Sequence, residues 1–384
     1  MFLFSVKKKP RIDTNMDYPV ILHIFSYHHN QLHLLVSNDL SKYASGVQQT
    51  KSIRNRIPIS LLIKRNIFRE YSSVCLSNRF KSRICSISAK IGNLSALKWA
   101  RDQGCPWDSD TSSSAAKGGH LDILQWATSQ GCPWDHYTCT FAAQGGHLNV
   151  LQWAKSQDDP WRTWEVDTCQ SAAIGGQFAV LQWLRSQGCP WNRNTCHFAA
   201  WGGHLDILQW AINQGCSMDR NTCKYAARGG HMEVLQWARS QGCPWDPMTC
   251  SNAAKEGHFE ILQWARSQGC PWDSETCSSA ASGGHLEILQ WATSQGCPWD
   301  PRTCSNAAEE GHLEVLQWAR SQGCSWDSNT CSLAAKGGHL EVLKWARSQG
   351  CPWDSKTCSF AADVGEWEVL QWAKDQGCPC DNDE

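Results

Sequence analysis

At 384 residues the chain is long enough for two or three ordinary domains, yet its 23 Trp and 22 Cys far exceed ordinary usage and lie almost wholly beyond residue 84 at fixed intervals, which excludes an ordinary globular composition. The formal charge of −1 is a balance of opposites, since residues 1–99 carry 16 Lys and Arg against 4 Asp and Glu while the remainder carries 19 against 32. No apolar run approaches the length of a bilayer span, and "MFLFSV" precedes its lysines and is too short for the apolar core of a signal peptide. The expectation is a soluble intracellular chain, cytoplasmic, with "KKKPR" at Lys7 to Arg11 readable as a nuclear import signal or as a solvated tail. In that compartment thiols stay reduced, so the cysteines are not read as a disulfide framework.

In chain order, the first elements are two short apolar groups, Ile21, Leu22, Ile24, Phe25 and then Leu32, Leu34, Leu35, Val36, around a polar turn. They predict two helices in an N-terminal helical region, residues 1–50. Tyr18, Pro19, Ile21, Leu22, Ile24, Phe25 and Tyr27 resemble the opening of an F-box, with Tyr18 where that family has Leu and without its later Trp. The resemblance implies that Pro19, Ile21, Leu22, Ile24 and Phe25 dock on a Skp1-type adaptor. Read without it, the same residues form a helical cap over the first repeat of the array beyond them. Residues 51–82, rich in Lys and Arg with Leu61 to Ile63 and Ile67 to Phe68 apolar, predict a basic helical cap or linker.

From residue 83 to about 380 one unit recurs. The Trp of "LQWA" and its variants falls at 99, 126, 153, 183, 210, 237, 264, 291, 318, 345 and 372, a spacing of 27 broken once by 30, which defines eleven repeats. In the eighth repeat, "DSETCSSAASGGHLEILQWATSQGCPW", Asp273 reads as an N-cap, an assignment strengthened by Asp246-Pro247 and Asp300-Pro301 elsewhere, where proline takes the first helical position. The Gly283-Gly284 pair ends helix one, and helix two runs from "HLEIL" to "TSQ" until Gly296 and Pro298 stop it. Leu286, Ile288, Leu289, Trp291 and Ala292 cover most of helix two, so it is stable only between neighbours.

This pattern of Ala-Ala, Gly-His and a closing Gly resembles the helical pair of the ankyrin repeat. The repeat has 27 residues where that family has 33, and "GCPWD" stands in place of its β-hairpin finger and Thr-Pro-Leu-His start. Short Trp-filled loops are expected in place of hairpins. The Cys-Pro-Trp-Asp signature resembles repeats of large DNA viruses infecting protists, and of some protists; a viral origin implies a host cytoplasm as the working compartment.

What varies between repeats sits on one stripe of helix one. In the fifth repeat Asn194, His197, Phe198 and Trp201 are spaced i, i+3, i+4, i+7, opposite the small face made by the Cys and Ala-Ala positions. Stacking sets these stripes side by side into one continuous surface, expected down the inner side of the solenoid. Its bulky and basic members are Tyr137 and Phe141 in repeat three, Arg193, His197, Phe198 and Trp201 in repeat five, and Arg220, Lys224, Tyr225 and Arg228 in repeat six. Aromatic residues and Arg dominate binding hot spots, which makes these ten the expected partner-binding residues.

Cysteines recur at i and i+7, as in Cys243/Cys250, too far apart for a zinc site, and read as small buried side chains. The one His per repeat, such as His285, reads as a local hydrogen bonder. No phosphate loop, nucleophile elbow or zinc-hydrolase helix is visible, and the acidic array argues against a nucleic-acid backbone. The reading is therefore an all-α, ankyrin-like α-solenoid of about eleven helix pairs that works as a monomer, without catalysis or cofactor, as a scaffold for other proteins. The rival is an F-box subunit that recruits substrates to a cullin-type ubiquitin ligase, and a third reading is a Cys-rich metal or redox protein.

Overall fold

The computed structural model describes residues 59–66, 68–69, 81, 83–157 and 165–380. The chain falls into two parts, residues 1–62 and 63–384, and the repeats lie wholly in the second. The region at 1–50, with its F-box-like Pro19, Ile21, Leu22, Ile24 and Phe25, lies outside the described residues.

Among the described residues there are twenty-three helices and no strand. Helix Ile59–Lys64 comes first, and eleven helix pairs succeed it, from Ile84–Ile91 with Leu94–Asp102 to Ser355–Asp363 with Trp367–Asp375. The expected hairpins-to-loops exchange is seen: the "GCPWD" segments are loops.

The eighth repeat shows why each pair forms. The Asp273 carboxylate accepts the N–H of Glu275 at 3.0 Å, satisfying one of the four donors that a helix start leaves unpaired. Helix one, Ser274–Ser282, ends because Gly284 adopts φ 74°, a conformation that a Cβ would oppose. The N–H of His285 then returns to the carbonyl of Ala280 at 2.9 Å, a Schellman closure. Helix two, Leu286–Ser294, closes the same way when the N–H of Cys297 reaches the Ala292 carbonyl at 2.9 Å.

The core is a set of columns. Thr276, Cys277, Ala280 and Ala281 of helix one and Ile288, Leu289 and Ala292 of helix two are buried, and the equivalent residues are buried in most other repeats. Small side chains on helix one let successive first helices pack directly on each other, while each buried Leu or Ile of helix two contributes about 2 kcal/mol of burial free energy. Ahead of the first pair, Ile63 and Phe68 are buried. The Phe68 ring lies 5.2 Å from that of Trp99, and the Asn93 amide donates to the Ile63 carbonyl at 2.9 Å.

Two further columns tie repeats together. The loop Trp272 lies under the guanidinium of Arg266 at 3.9 Å and meets Trp291 edge-on at 5.8 Å, so one indole joins the end of one repeat to helix two of the next. The same stack recurs, for example Arg239 on Trp245 at 4.0 Å with Trp264 at 5.9 Å. The histidines act between repeats rather than locally. His285 Nε2 bonds the carbonyl of Lys255 at 3.0 Å, and His147, His204, His258 and His312 reach the equivalent carbonyls of their preceding repeats at 3.0–3.1 Å. A carbonyl only accepts, so these rings carry their proton on Nε2.

The cysteines are nearly all buried, as small core side chains, but two aspects of their sequence reading change. Cys358 and Cys380 form a disulfide, where reduced thiols were expected throughout. The fold also brings together i and i+20 rather than i and i+7, as in Cys196 with Cys216, because a helix pair returns its end to its own start.

Candidate functional site

The outward stripe of helix one is best developed in repeats five and six. Asn192 caps helix Arg193–Gly202, and Asp219 caps helix Arg220–Gly229. With Thr195, Cys196, Ala199 and Ala200 turned into the core, Phe198 and Trp201 are left on the opposite side, half-buried, and Tyr225 is half-buried beside them on the next helix. The three rings touch pairwise: Phe198 to Trp201 at 6.0 Å, Phe198 to Tyr225 at 6.2 Å and Trp201 to Tyr225 at 5.9 Å between centroids. Their planes are tilted by only 30–34°, so they form a shallow patch and not a cage.

Cations border the patch. The Arg228 guanidinium lies 5.0 Å over Trp201 and is held by Glu256 at 3.3 Å. Lys224 Nζ lies 5.7 Å from the Tyr225 ring. Such cation–π contacts at exposed positions are worth about 0.5–1 kcal/mol each.

His197 departs from its expected accessible place on the stripe. It is only 4 % exposed, stacks on Tyr225 at 5.7 Å, and its Nε2 bonds Asp219 Oδ1 at 2.7 Å. Burial lowers the imidazole pKa below its ordinary value, against the opposing pull of Asp219, so the neutral ring donates Nε2–H to the carboxylate. Burial pushes Asp219 up, but the Asn221 N–H, His197 and Arg193 outweigh it and hold the carboxyl below its ordinary range. Arg193 reaches Asp219 Oδ2 at 3.5 Å while remaining 65 % exposed. His197 therefore serves beneath the patch, locking the helix cap of repeat six to helix one of repeat five.

Of the ten residues singled out from the sequence, seven are linked by these contacts: Arg193, His197, Phe198, Trp201, Lys224, Tyr225 and Arg228. Arg220 points to the next cap, Asp246, at 3.6 Å. Tyr137 and Phe141 form a separate pair in repeat three, 6.4 Å apart, with Tyr137 54 % exposed. Sequence reasoning missed Lys117, whose Nζ lies 5.2 Å over Phe141, although it occupies the same post-Ala-Ala position as Trp201 and Arg228. It also missed Asp219 and Glu256, which hold the patch's cations and His197; an N-cap Asp gives no sequence sign of a second role.

Residues 169–212 match the family model for ankyrin repeats, described as occurring in many copies. That segment covers most of the two helix pairs of repeats four and five and contains two of the three rings of the aromatic patch, Phe198 and Trp201. With paired helices throughout the described array, the chain is an all-α, ankyrin-like solenoid. Among solved structures, the human ASB11 ankyrin repeat domain is similar at 17% identity and a TM-score of 0.34, over 41% of this chain and 84% of that one. A comparison with curated proteins finds no match.

Among the described residues no cluster of three or more His, Cys, Asp or Glu is arranged to hold a metal ion, and no helix is long and apolar enough to cross a membrane.

Proposed function

We propose that the chain is a non-catalytic scaffold that binds a partner protein on the inner, helix-one face of the repeat array, through the side of helix one turned away from the core, centred on repeats five and six. Ankyrin repeats imply protein–protein interaction, and the observation that carries the choice of face is the contiguous patch of Phe198, Trp201 and Tyr225 with Arg228 and Lys224 over its rings. Half-exposed aromatic and Arg side chains at the centre of a surface are the types whose truncation costs about 2 kcal/mol or more in binding. Arg193, Arg220, Tyr137 and Phe141 extend the face to either side, and His197 supports it from below. Trp201→Ala combined with Tyr225→Ala should weaken partner capture by an order of magnitude or more while lowering array stability by only about 1–2 kcal/mol, because the rings pack mainly on each other. Partner capture unchanged in a folded double variant defeats this choice of face, as does a collapse of the thermal transition.

The sequence of the N-terminal region supports a second reading, in which Pro19, Ile21, Leu22, Ile24 and Phe25 engage a Skp1-type adaptor and the array selects substrates for a cullin-type ubiquitin ligase. Phe25→Ala should then abolish co-purification of the adaptor and leave capture through the array intact. Absence of the adaptor from both forms removes this reading. The repeat signature supports an origin in a large DNA virus of protists, with work done in the host cytoplasm.

A further inference from the structure

Nine of the eleven repeats carry a helix-one cysteine and, twenty residues later, a second cysteine after their own helix two. In repeat five Cys196 Sγ and Cys216 Sγ are 2.7 Å apart, and in repeat four Cys169 Sγ and Cys189 Sγ are 3.0 Å apart. These separations approach the bonded distance of about 2.05 Å. The arrangement recurs at lower closeness, with the helix-one Sγ 4.0 Å from the carbonyl of its facing cysteine in Cys85/Cys105, Cys223/Cys243, Cys277/Cys297 and Cys331/Cys351. In the last repeat the helix-one cysteine, Cys358, is bonded to Cys380, two residues past the i+20 position, and Cys378 at that position is free.

We propose that the facing i, i+20 cysteines are disulfide-forming pairs, with Cys196–Cys216 the first to close and the other pairs closing later in register. Each bridge would tie the start of helix one to the end of helix two of the same repeat, so that a repeat could no longer open by separating its helices.

The two members of a pair are not equivalent. Cys216 is 7 % exposed and Cys196 fully buried, which makes the loop cysteine the point of access. The thiol of Cys196 donates to Cys216, lowering the pKa of the loop thiol and raising that of the helix-one thiol, with burial raising both. The loop thiol is thus the member that becomes the nucleophile. A small-molecule disulfide such as oxidised glutathione is the oxidant. The Cys216 thiolate attacks one glutathione sulfur and breaks the glutathione S–S bond, releasing one glutathione thiol. Cys196 sulfur then attacks Cys216 sulfur, forming the protein S–S bond and releasing the second glutathione thiol. The protein loses two electrons and two thiol protons, and one glutathione disulfide becomes two glutathione thiols.

Repeat two supplies an internal control, because Ser112 stands opposite Cys132, Oγ to Sγ 3.4 Å. The test is to incubate the native full chain with oxidised glutathione and map peptides without reduction, with circular dichroism confirming that the chain stays folded. The expected result is a linked Cys196–Cys216 peptide lighter by two hydrogens, appearing before any other bridge, while Cys132 ends as a free thiol or a glutathione adduct. In Cys196→Ser, Cys216 should accumulate as a stable glutathione adduct. Recovery of Cys196 and Cys216 as free thiols or as two separate adducts in the folded wild-type chain overturns the proposal. So does a bridge pattern that links i to i+7. The wild-type map decides the matter even if the variant does not fold.

Discussion

His285 shows how one side chain can carry a repeat-to-repeat bond that its own repeat does not reveal. Its ring lies on Gly257 of the preceding repeat, where a Cβ would sit 2.6 Å from Cε1, and donates to the Lys255 carbonyl. Burial lowers its pKa, helped by His312 and His258 on either side, against the pull of the Lys255 carbonyl and Glu256. His231 is lowered for the same first reason, with His204 and His258 as its neighbours and the Trp201 carbonyl opposing. A depressed folded pKa means that the unfolded chain takes up the proton first. The stability from these rings is therefore complete above the ordinary imidazole value of 6.5 and is lost as pH falls below it toward the folded values. Thermal unfolding monitored from about pH 7.5 down to about pH 5 should show a falling midpoint, and His285→Ala should lower the midpoint at neutral pH while flattening this dependence. A midpoint that holds or rises on acidification contradicts the role given to the column. From sequence the histidines read as local hydrogen bonders. The ring's true partner is thirty residues back, and no spacing within one repeat points to it. The N-cap aspartates, by contrast, were legible, since Asp-Pro before a helical run has few other meanings.

At the level of the element, the loop that replaces the ankyrin hairpin gains its order from an Arg–Trp–Trp stack. Repeat six lacks it, because Met218 holds the loop position and Ile212 the place of the Arg. Restoring both, with Met218→Trp and Ile212→Arg, should add a cation–π contact and an edge-on indole pair and stabilise the array by about 1–2 kcal/mol. A higher midpoint in thermal or urea unfolding checks this, and a destabilised double variant would show that the stack results from the fold instead of supporting it. Helix ends, the small face of helix one and the Trp-filled loops could all be read from the letters, because each depends on residues close in sequence. The facing of Cys196 and Cys216 could not, since it depends on where a helix pair brings its two ends, as does the burial of His197 beneath Tyr225.

Across the whole array, repeats agree where they touch one another and differ on the outward side of helix one. That division was legible as a stripe, and its aromatic members were identified, but the sequence does not distinguish a side chain that lies on the patch from one that holds the patch up. His197 and Phe198 are adjacent in sequence, yet the first is sealed against Asp219 and the second is half open. Tyr137 and Phe141 sit two repeats away from the main patch, beyond the smaller Gln170, Ser171 and Ile174 of repeat four, and so form a second aromatic cluster along the proposed face.

The most direct measurement places a photo-crosslinking amino acid at Lys224, beside the patch, or at Gln236, exposed on helix two of the same repeat, and compares the two after incubation with the chain's co-purified partners. Crosslinks to a discrete partner from position 224, with none from position 236, are the predicted result. Equal crosslinking from both positions, or crosslinks from 236 alone, would contradict the assignment of recognition to the outward face of helix one.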